Sequence, residues 1–262
     1  MKNFSNSTKI NSWVILLIFN LLLGQPHVAI MQSTSNQGTA NDIVNMLVQN
    51  GFTAQAVNPS DLDEIDEALN FDVYIQGGSG YGADESEWAS VYGIISECVS
   101  NHGKGLIHTG WGLYSILSGS DPNDYLKNML PINLPSQYQY LSNSANALSD
   151  IDPNSPITNG VSSFFTQFGE YSSSGTKEGS TIHASYNNGY GAVISWEYGT
   201  GRVINLGHIW MAASSYNQDN LFTDVNALLL MSNSVNWASG GGSQANTAPT
   251  ATAQSVTGNE DS

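Results

Sequence analysis

Short apolar segments alternate with amphipathic helical segments along the first half of this chain, and this alternation restricts the folds that it can adopt. Four predicted strands cover His27–Gln32, Phe52–Val57, Phe71–Gln76 and Gly105–Thr109. The segments between them carry apolar residues at helical spacing, and the first helix ends at the turn-forming pair Asn50–Gly51. Strands that alternate with helices are typical of a mostly parallel sheet. We therefore predict an α/β fold with helices on both faces of the sheet.

The second half of the chain is less regular. Residues Asp121–Gly160 are rich in proline and predict loops with short helices. Three more predicted strands and an amphipathic closing helix follow, at Ser180–Tyr186, Gly191–Glu197, Gly201–Gly207 and Asp219–Trp237. The last two strands are joined by Tyr198–Gly201, whose glycines predict an antiparallel hairpin.

The N-terminus predicts export. Lys2 and Lys9 precede an apolar run from Trp13 to Leu23, which has the length of a signal-peptide core and is short for a membrane span. We predict that residues 1–24 are the signal peptide of a secreted or cell-surface bacterial protein. An uncleaved N-terminal membrane anchor is the alternative.

The C-terminal end differs in composition from the predicted α/β domain, which covers residues 27–238. Residues 239–247 are rich in glycine and small polar residues and predict a linker. Residues 248–262 resemble the first strand of cadherin-like and immunoglobulin-type repeats in bacterial surface proteins. This resemblance implies that a β-repeat module begins there.

The charge of the chain excludes one class of partner. Its 22 acidic residues face only six Lys and Arg, a formal net charge of −16, so it has no basic surface that could neutralise the phosphates of nucleic acid. A small-molecule or glycan ligand remains. We predict no cofactor and no metal, because no phosphate-binding motif and no metal-spaced His/Cys cluster occurs in the sequence. Asp121–Asp124 is predicted to cap a helix rather than to bind calcium. The single cysteine, Cys98, is predicted to be a buried structural thiol.

Candidate ligand-binding residues follow the carboxyl ends of the predicted strands, where open parallel sheets bind their ligands. Gly77, Gly78 and Ser79 follow the third strand, and their backbone amides could face a cleft. The alternative is a plain flexible loop without a ligand.

The turn after the fourth strand has the form of a nucleophile elbow, a sharp corner between a strand and a helix. Its residues are Thr109, Gly110, Trp111 and Gly112, and we place the apex at Gly110. Gly110 has no side chain that could attack a substrate, and Thr109 would need a dedicated base. The sequence therefore predicts an elbow without a nucleophile.

Two polar residues are candidates for catalysis or ligand binding. His208 follows the last long strand, where it could act as a general base or ligand, although a lone His more often serves the fold alone. Glu170 lies in a chain with few cations, which favours a hydrogen bond or an exposed position. Aromatic residues that could stack on sugar rings are Trp111, Trp210, Tyr81 and Tyr216, with a core position as the alternative for the tryptophans.

Five segments resemble, in order and spacing, the class I glutamine amidotransferase-like superfamily and particularly its trehalose-utilisation (ThuA-like) branch. They are Phe71–Gly78, Gly105–Gly112, Ser155–Gly160, Glu170–Tyr171 and Tyr198–His208. The resemblance spans residues 27 to about 237. It implies a flavodoxin-like sheet, with a pocket formed by the loops after Gln76, Thr109, Phe168 and Leu206.

The sequence departs from true amidotransferases, whose elbow carries a cysteine paired with His and Glu. The elbow cysteine is missing here, and His208 is followed by Ile209 and Trp210 instead of the family's His-x-Glu pair. The resemblance therefore implies no glutamine hydrolysis. Because ThuA-like proteins are linked to sugar metabolism, it implies a carbohydrate ligand.

Three functions remain open on the sequence. The favoured one is a non-catalytic ligand-binding module, with a carbohydrate ligand, at the head of a secreted or surface protein. The second is a carbohydrate-acting hydrolase or related enzyme that uses His208 and Glu170. The third is a structural adhesin segment without a ligand.

Overall fold

The computed structural model describes residues 24–32, 37–76, 85–142, 147–210 and 221–240. The predicted signal segment, the glycine-rich loop Gly77–Ser79, most of the linker and the predicted β-repeat lie outside the described residues. Within them, no helix is long and apolar enough to cross a membrane.

The described residues contain ten strands, of which eight form one sheet in the order β2-β1-β3-β4-β10-β9-β8-β6 and two, β5 and β7, form a separate small sheet. The strands are β1 (His27–Met31), β2 (Thr53–Val57), β3 (Val73–Gln76), β4 (Gly105–His108), β5 (Tyr140–Ser142), β6 (Leu148–Ser149), β7 (Phe168–Glu170), β8 (Thr181–Tyr186), β9 (Gly191–Tyr198) and β10 (Gly201–Leu206).

The direction of the strands confirms the predicted α/β class. Strands β2, β1, β3, β4 and β10 run parallel, whereas β10, β9, β8 and β6 pair antiparallel. The antiparallel part begins at the predicted hairpin, where Gly201 pairs with Tyr198. The order β2-β1-β3-β4, continued by a fifth parallel strand, is that of flavodoxin-like sheets. The fold is therefore a flavodoxin-like mostly parallel sheet, extended at one side by antiparallel strands.

Six helices accompany the sheet in the described residues. They are α1 (Gln37–Gln49), α2 (Ile65–Ala68), α3 (Tyr92–His102), α4 (Gly112–Leu117), α5 (Tyr125–Met129) and α6 (Val225–Ala238). The continuous helix predicted from Asp84 to His102 is shorter than expected, because a 3-10 turn at Glu85–Trp88 precedes α3.

Two apolar layers enclose the sheet, as the alternation of side chains along each strand requires. On one face Ile30 and Ile75 pack with residues of α1 and α6, among them Ile43 and Leu230. The opposite face carries residues of α3, α4 and α5 packed against strand residues such as Leu106. Helices therefore cover both faces.

Two minor predictions can be checked in the same layers. Cys98 is buried within α3, and burial raises the pKa of its thiol, which fits a structural role. Asp121 accepts a hydrogen bond from the Lys127 backbone amide (2.9 Å), and Asp124 forms an ion pair with the Lys127 ammonium (2.9 Å). The acidic segment thus binds the start of α5, as predicted.

Candidate functional site

The candidate site lies where β3, β4 and β10 end, at the carboxyl edge of the parallel sheet. The elbow, residues Thr109–Gly112, is fixed between its two neighbours by backbone hydrogen bonds. The Thr109 amide donates to the Gln76 carbonyl (2.9 Å), and the Gly110 amide donates to the His208 carbonyl (2.8 Å). The chain segments that carry the predicted site residues are thus held together by the sheet itself.

The residue at the apex of the elbow is Trp111, one position later than predicted. Trp111 has φ 73° and ψ −16°, a left-handed conformation that is costly for a bulky side chain, and it directly precedes α4. The strained position at which an elbow presents its reactive group is therefore held by an indole. The predicted absence of a nucleophile at the apex stands, with tryptophan rather than glycine in its place.

The glycines on either side of Trp111 are required by close packing. A Cβ at Gly110 would lie 2.6 Å from the Ile209 side chain and 2.8 Å from the His208 carbonyl carbon, and a Cβ at Gly112 would overlap the ring of His108. Gly110 therefore allows the elbow to approach the end of β10, which explains its presence without a catalytic role.

Glu170 lies in β7 of the small sheet and points its carboxylate at the start of α4. Oε2 accepts a hydrogen bond from the Leu113 amide (3.0 Å) and Oε1 accepts one from the Tyr114 amide (3.0 Å). Glu170 thus binds two of the free backbone amides at the N-terminus of α4, directly behind the elbow.

The environment of Glu170 has opposing effects on its ionisation. Burial raises the pKa of this carboxyl to about 8, while the amides of Leu113 and Tyr114 and the Tyr138 hydroxyl lower it. The side chain is almost completely enclosed, with 3% of its residue surface exposed. Desolvation therefore outweighs the hydrogen bonds, because no cation in the described part of the chain balances the charge.

His208 is enclosed in an apolar part of the core. Its ring packs between Phe164 (centroids 4.9 Å apart) and Tyr186 (5.3 Å), and neither ring nitrogen has a hydrogen-bond partner among the described residues. Burial lowers the pKa of His208 to about 3, so the imidazole is neutral near pH 7. A general base needs a polar partner to deprotonate, and the described part of the chain places neither a hydroxyl nor a thiol within hydrogen-bonding reach.

The two residues proposed as a catalytic pair face opposite sides of one ribbon. Gly169 and His208 form an isolated antiparallel β-bridge, and the Glu170 amide donates to the Gly207 carbonyl (2.7 Å). Glu170 therefore lies opposite Gly207, one position along the chain from the residue that lies opposite His208. Side chains at adjacent positions point to opposite faces. Their contacts agree, because Glu170 meets α4 whereas His208 meets Phe164 and Tyr186. The two side chains therefore do not face one shared substrate position.

The remaining predicted site residues have different outcomes. Trp210 is fully buried in the core, so its predicted stacking on a sugar is wrong. Thr109 is also fully buried, and its hydroxyl approaches the Gln76 carbonyl (3.4 Å). Trp111 is half-buried beside the surface. Gly77, Gly78 and Ser79, with Tyr81 and Tyr216, lie outside the described residues.

A row of buried polar side chains lies under the elbow on adjacent strands. Gln76, His108 and Asn205 occupy equivalent positions of β3, β4 and β10, and Nδ1 of His108 is 2.9 Å from Oδ1 of Asn205. His183 similarly contacts the Ser195 hydroxyl through Nε2 (2.7 Å). Both histidines predicted to be structural therefore have structural partners, and burial lowers the pKa of each.

Sequence reasoning missed four aromatic residues that surround Trp111. Tyr114, Tyr138, Tyr140 and Phe168 form a continuous set of ring contacts with it. The sequence Tyr138-Gln-Tyr140 indicates part of this set, because residues two apart lie on the same face of an extended segment and their rings can be neighbours. It was overlooked because the surrounding proline-rich region predicts loops.

Solved structures share this fold. A cytoplasmic protein from Salmonella typhimurium aligns with a TM-score of 0.62 and 16% sequence identity, over 81% of this chain and 98% of that one. A second cytoplasmic protein, from Salmonella typhimurium LT2, aligns with a TM-score of 0.64 and 12% identity, over 81% and 99%. A protein named as ThuA-like, from Parabacteroides merdae, aligns with a TM-score of 0.54 and 13% identity, over 83% and 91%. No protein-family model and no curated protein sequence matches the chain.

These similarities establish the fold and nothing finer. The chain has a flavodoxin-like α/β fold, which it shares with the ThuA-like protein from Parabacteroides merdae over 83% of its length. At identities of 12% to 16% the similarity transfers no activity and no ligand.

Proposed function

We propose that this protein is a non-catalytic ligand-binding module, built on a ThuA-like fold, whose ligand is a neutral carbohydrate. The observation that carries the proposal is the position of Glu170. Its carboxylate accepts the Leu113 and Tyr114 amides at the start of α4, directly behind Trp111. The free backbone amides at the start of α4 are therefore bound by a side chain of the same protein, and the apex of the elbow, where a nucleophile would lie, carries an indole.

The alternative of a hydrolase finds little support at the same residues. Hydrolysis by a pair of general acid and base needs both groups to face one substrate bond. Glu170 and His208 face opposite sides of the ribbon formed by residues 169 and 208, and His208 lies between two aromatic rings. The geometry thus favours binding without turnover.

The class of ligand follows from charge and from the sequence resemblance. With 22 acidic residues against six Lys and Arg, the chain repels anionic ligands, which favours a neutral one. The resemblance to ThuA-like proteins, which are linked to sugar metabolism, supports a carbohydrate.

Turnover and binding can be tested separately on the full chain. We expect the wild-type protein to release no product from aryl glycosides or neutral oligosaccharides, while calorimetric titration detects binding of a neutral oligosaccharide. His208→Ala is the diagnostic variant. Measurable wild-type turnover that this variant abolishes, with its circular dichroism unchanged, would refute the non-catalytic proposal.

We further propose that the module is exported. The support is the apolar run from Trp13 to Leu23 behind Lys2 and Lys9. Expression of the full chain in a bacterial host, followed by fractionation and N-terminal sequencing, tests this. Protein found in the medium or envelope with residues up to about 24 removed supports a signal peptide, envelope protein with an intact N-terminus supports an anchor, and protein confined to the cytoplasm refutes export.

A further inference from the structure

We propose that Asn159 is a site of spontaneous covalent modification, at which water converts the side-chain amide to aspartate and isoaspartate. The reacting pair is Asn159–Gly160, which lies in an exposed turn between β6 and β7. The inference concerns the chemistry of the chain itself and does not depend on the ligand that the protein binds.

The reaction joins the side chain of an asparagine to the backbone of the next residue. The Gly160 nitrogen loses its proton to solvent and attacks Cγ of Asn159, the Cγ–Nδ2 bond breaks, and the amide group takes up a proton and leaves as ammonia. Water then opens the cyclic imide. Opening at Cγ gives aspartate, and opening at the main-chain carbonyl gives isoaspartate, in which the main chain runs through the former side chain. Glycine favours the attack because it has no Cβ to hinder the nitrogen.

The sequence contains three Asn–Gly pairs, and all of them lie in the described part of the chain. Besides Asn159–Gly160, they are Asn50–Gly51 after α1 and Asn188–Gly189 between β8 and β9. Every residue of the three pairs is exposed, and the glycines have similar left-handed backbones, with φ of 88°, 74° and 83° in chain order. Exposure and local sequence therefore do not rank the three sites.

Hydrogen bonds hold both reacting groups of Asn50–Gly51. The Gly51 amide donates to the Val48 carbonyl (3.1 Å). The side-chain amide of Asn50 donates to the Met46 carbonyl (2.8 Å). The glycine nitrogen must leave the first bond and the carboxamide must leave the second before the imide can form, so both bonds add to the barrier.

The hairpin turn restrains Asn188–Gly189 in a similar way. The Gly189 amide donates to the Tyr186 carbonyl (2.8 Å). Oδ1 of Asn188 accepts a hydrogen bond from the Tyr190 amide (3.2 Å). The nitrogen and the carboxamide of this pair are therefore also engaged before any reaction begins.

Neither reacting group of Asn159–Gly160 is restrained by a hydrogen bond to the described residues. The turn itself is held by the Val161 amide, which donates to the Thr158 carbonyl (3.1 Å). The Asn159 carbonyl accepts a hydrogen bond from Nδ2 of Asn233 (3.0 Å). These bonds fix the main chain around the turn and leave the Gly160 nitrogen and the Asn159 carboxamide free to meet.

Isoaspartate at position 159 would loosen the attachment of α6 to the rest of the domain. The Asn159 carbonyl binds the side chain of Asn233, which lies in α6 and is 7% exposed. Isoaspartate adds a methylene group to the main chain and moves this carbonyl, so the buried Asn233 amide loses its partner. Aged protein should therefore unfold more easily than fresh protein, in proportion to its isoaspartate content.

The experiment follows all three pairs in the full-length protein during storage for days in mildly alkaline buffer. Samples are digested with pepsin at acid pH, mass spectrometry of the peptides measures the loss of each asparagine, and labelling by an isoaspartyl methyltransferase identifies isoaspartate. A parallel sample is stored in urea, where the folded hydrogen bonds are lost.

Two variants separate the site from its matched control. Asn159→Gln slows imide formation because a larger ring must close, and it keeps the backbone carbonyl that binds Asn233. Asn188→Gln makes the same change at an exposed pair whose groups are already hydrogen-bonded. Calorimetry compares the melting temperatures of fresh and aged samples of each protein.

We expect Asn159 to react about tenfold faster than Asn50 and Asn188 in the folded protein, the ratio that corresponds to one hydrogen bond that need not be broken. In urea the three rates should become similar. Ageing should lower the melting temperature of the wild type and of Asn188→Gln, but not that of Asn159→Gln.

Three results would overturn the proposal. The first is a rate at Asn159 that is no higher than the rates at Asn50 and Asn188 in the folded protein. The second is an equal lead of Asn159 in urea, since local sequence would then explain it. The third is an unchanged melting temperature of wild-type protein that has accumulated isoaspartate at position 159, which would show that the modification leaves α6 attached.

Discussion

Three residues decide what the carboxyl edge of this sheet can do chemically: Trp111, Glu170 and His208. Trp111 takes a left-handed backbone conformation, which costs a bulky residue on the order of 1–3 kcal/mol and persists only where its surroundings enforce it. Here the Gly110 amide bound to the His208 carbonyl fixes the chain on one side, and the Ser115 amide bound to the Trp111 carbonyl fixes it on the other. The strain is thus maintained by the fold at a position that supports no nucleophile.

Glu170 makes the stability of the protein depend on pH. Burial raises the pKa of this carboxyl from 4.5 to about 8, so between these values the folded chain holds a proton that the unfolded chain has released. The resulting stability is fully present below pH 4.5 and is lost as pH rises through 8. We expect Glu170→Gln to remove a pH-dependent contribution on the order of 5 kcal/mol between these limits.

Urea denaturation of the wild type and Glu170→Gln at the two ends of this pH range measures the effect. The matched control is Glu178→Gln, which changes an exposed carboxylate. If the difference in unfolding free energy between the wild type and Glu170→Gln is the same at both pH values, Glu170 is not the titrating group that we infer.

His208 has the opposite dependence on pH. Burial lowers its pKa from 6.5 to about 3, so its contribution to stability is fully present above pH 6.5 and is lost as pH falls through 3. We expect His208→Phe to raise the free energy of unfolding by about 1–2 kcal/mol at pH 7, because it removes two unpartnered buried nitrogens next to Phe164 and Tyr186. The variant should also lose less stability on acidification.

Chemical denaturation of His208→Phe at neutral and acidic pH checks this expectation, and titration with the glycan that binds best checks the function. His102→Asn, a change at an exposed histidine, is the control. Lost glycan binding in a folded His208→Phe protein would show that the imidazole contributes to the ligand site after all.

At the scale of the element, the glycines of the elbow are needed because neighbouring atoms leave no room for a Cβ, rather than because their backbone is left-handed. Gly112 lies against the His108 ring, which is buried and held by Asn205 at 2.9 Å, so an added methyl group has no room to displace it. We expect Gly112→Ala to destabilise the protein by about 2–3 kcal/mol through overpacking. Differential scanning calorimetry measures the loss.

Gly93→Ala in α3 is the matched control for Gly112→Ala. Its added Cβ would meet only the exposed Tyr125 ring at 3.3 Å, which can move, and alanine favours a helix over glycine. This variant should be neutral or slightly stabilising. Equal melting temperatures for the two variants would contradict the packing argument at Gly112.

The elbow also shows where reasoning from the sequence reached its limit. The sequence predicted a sharp turn after β4 without a nucleophile, and both statements hold. It placed the apex at Gly110, between Thr109 and Trp111, in a turn of small residues between a strand and a helix. In the structure Gly110 provides clearance for Ile209 while Trp111 adopts the strained conformation, and only three-dimensional packing distinguishes these two requirements.

At the scale of the whole molecule, the prediction succeeded where hydrophobic periodicity is strong. The parallel strands β1 to β4 and the hairpin of β9 and β10 follow directly from short apolar runs and the glycines at residues 199 and 201. The small sheet of β5 and β7 was missed, because its three-residue strands lie in a proline-rich region without a period long enough to detect. The orientation of His208 away from Glu170 could not be predicted either, because it depends on the bridge between Gly169 and His208, which are far apart in the sequence.

Net charge acts on the molecule as a whole. The formal charge of −16 comes from 22 acidic residues, several of them exposed between residues 61 and 67, and only two ion pairs join carboxylates to lysines in the described part of the chain. The folded state brings these like charges closer together than the unfolded chain does, so their repulsion opposes folding. Salt screens such repulsion between exposed charges, with a screening length of about 10 Å at 0.1 M.

We therefore expect the free energy of unfolding to rise by about 1 kcal/mol as sodium chloride increases from about 0.02 M to about 0.3 M. Denaturation by urea, which is uncharged, measures the change without adding salt. The double variant Asp63→Asn and Glu64→Gln neutralises two exposed carboxylates and should reduce the dependence on salt, because fewer charges are left to screen. A stability that falls with added salt in both proteins would mean that attractive pairs, such as Lys104 with Asp72 at 3.1 Å, outweigh the repulsion across the acidic surface.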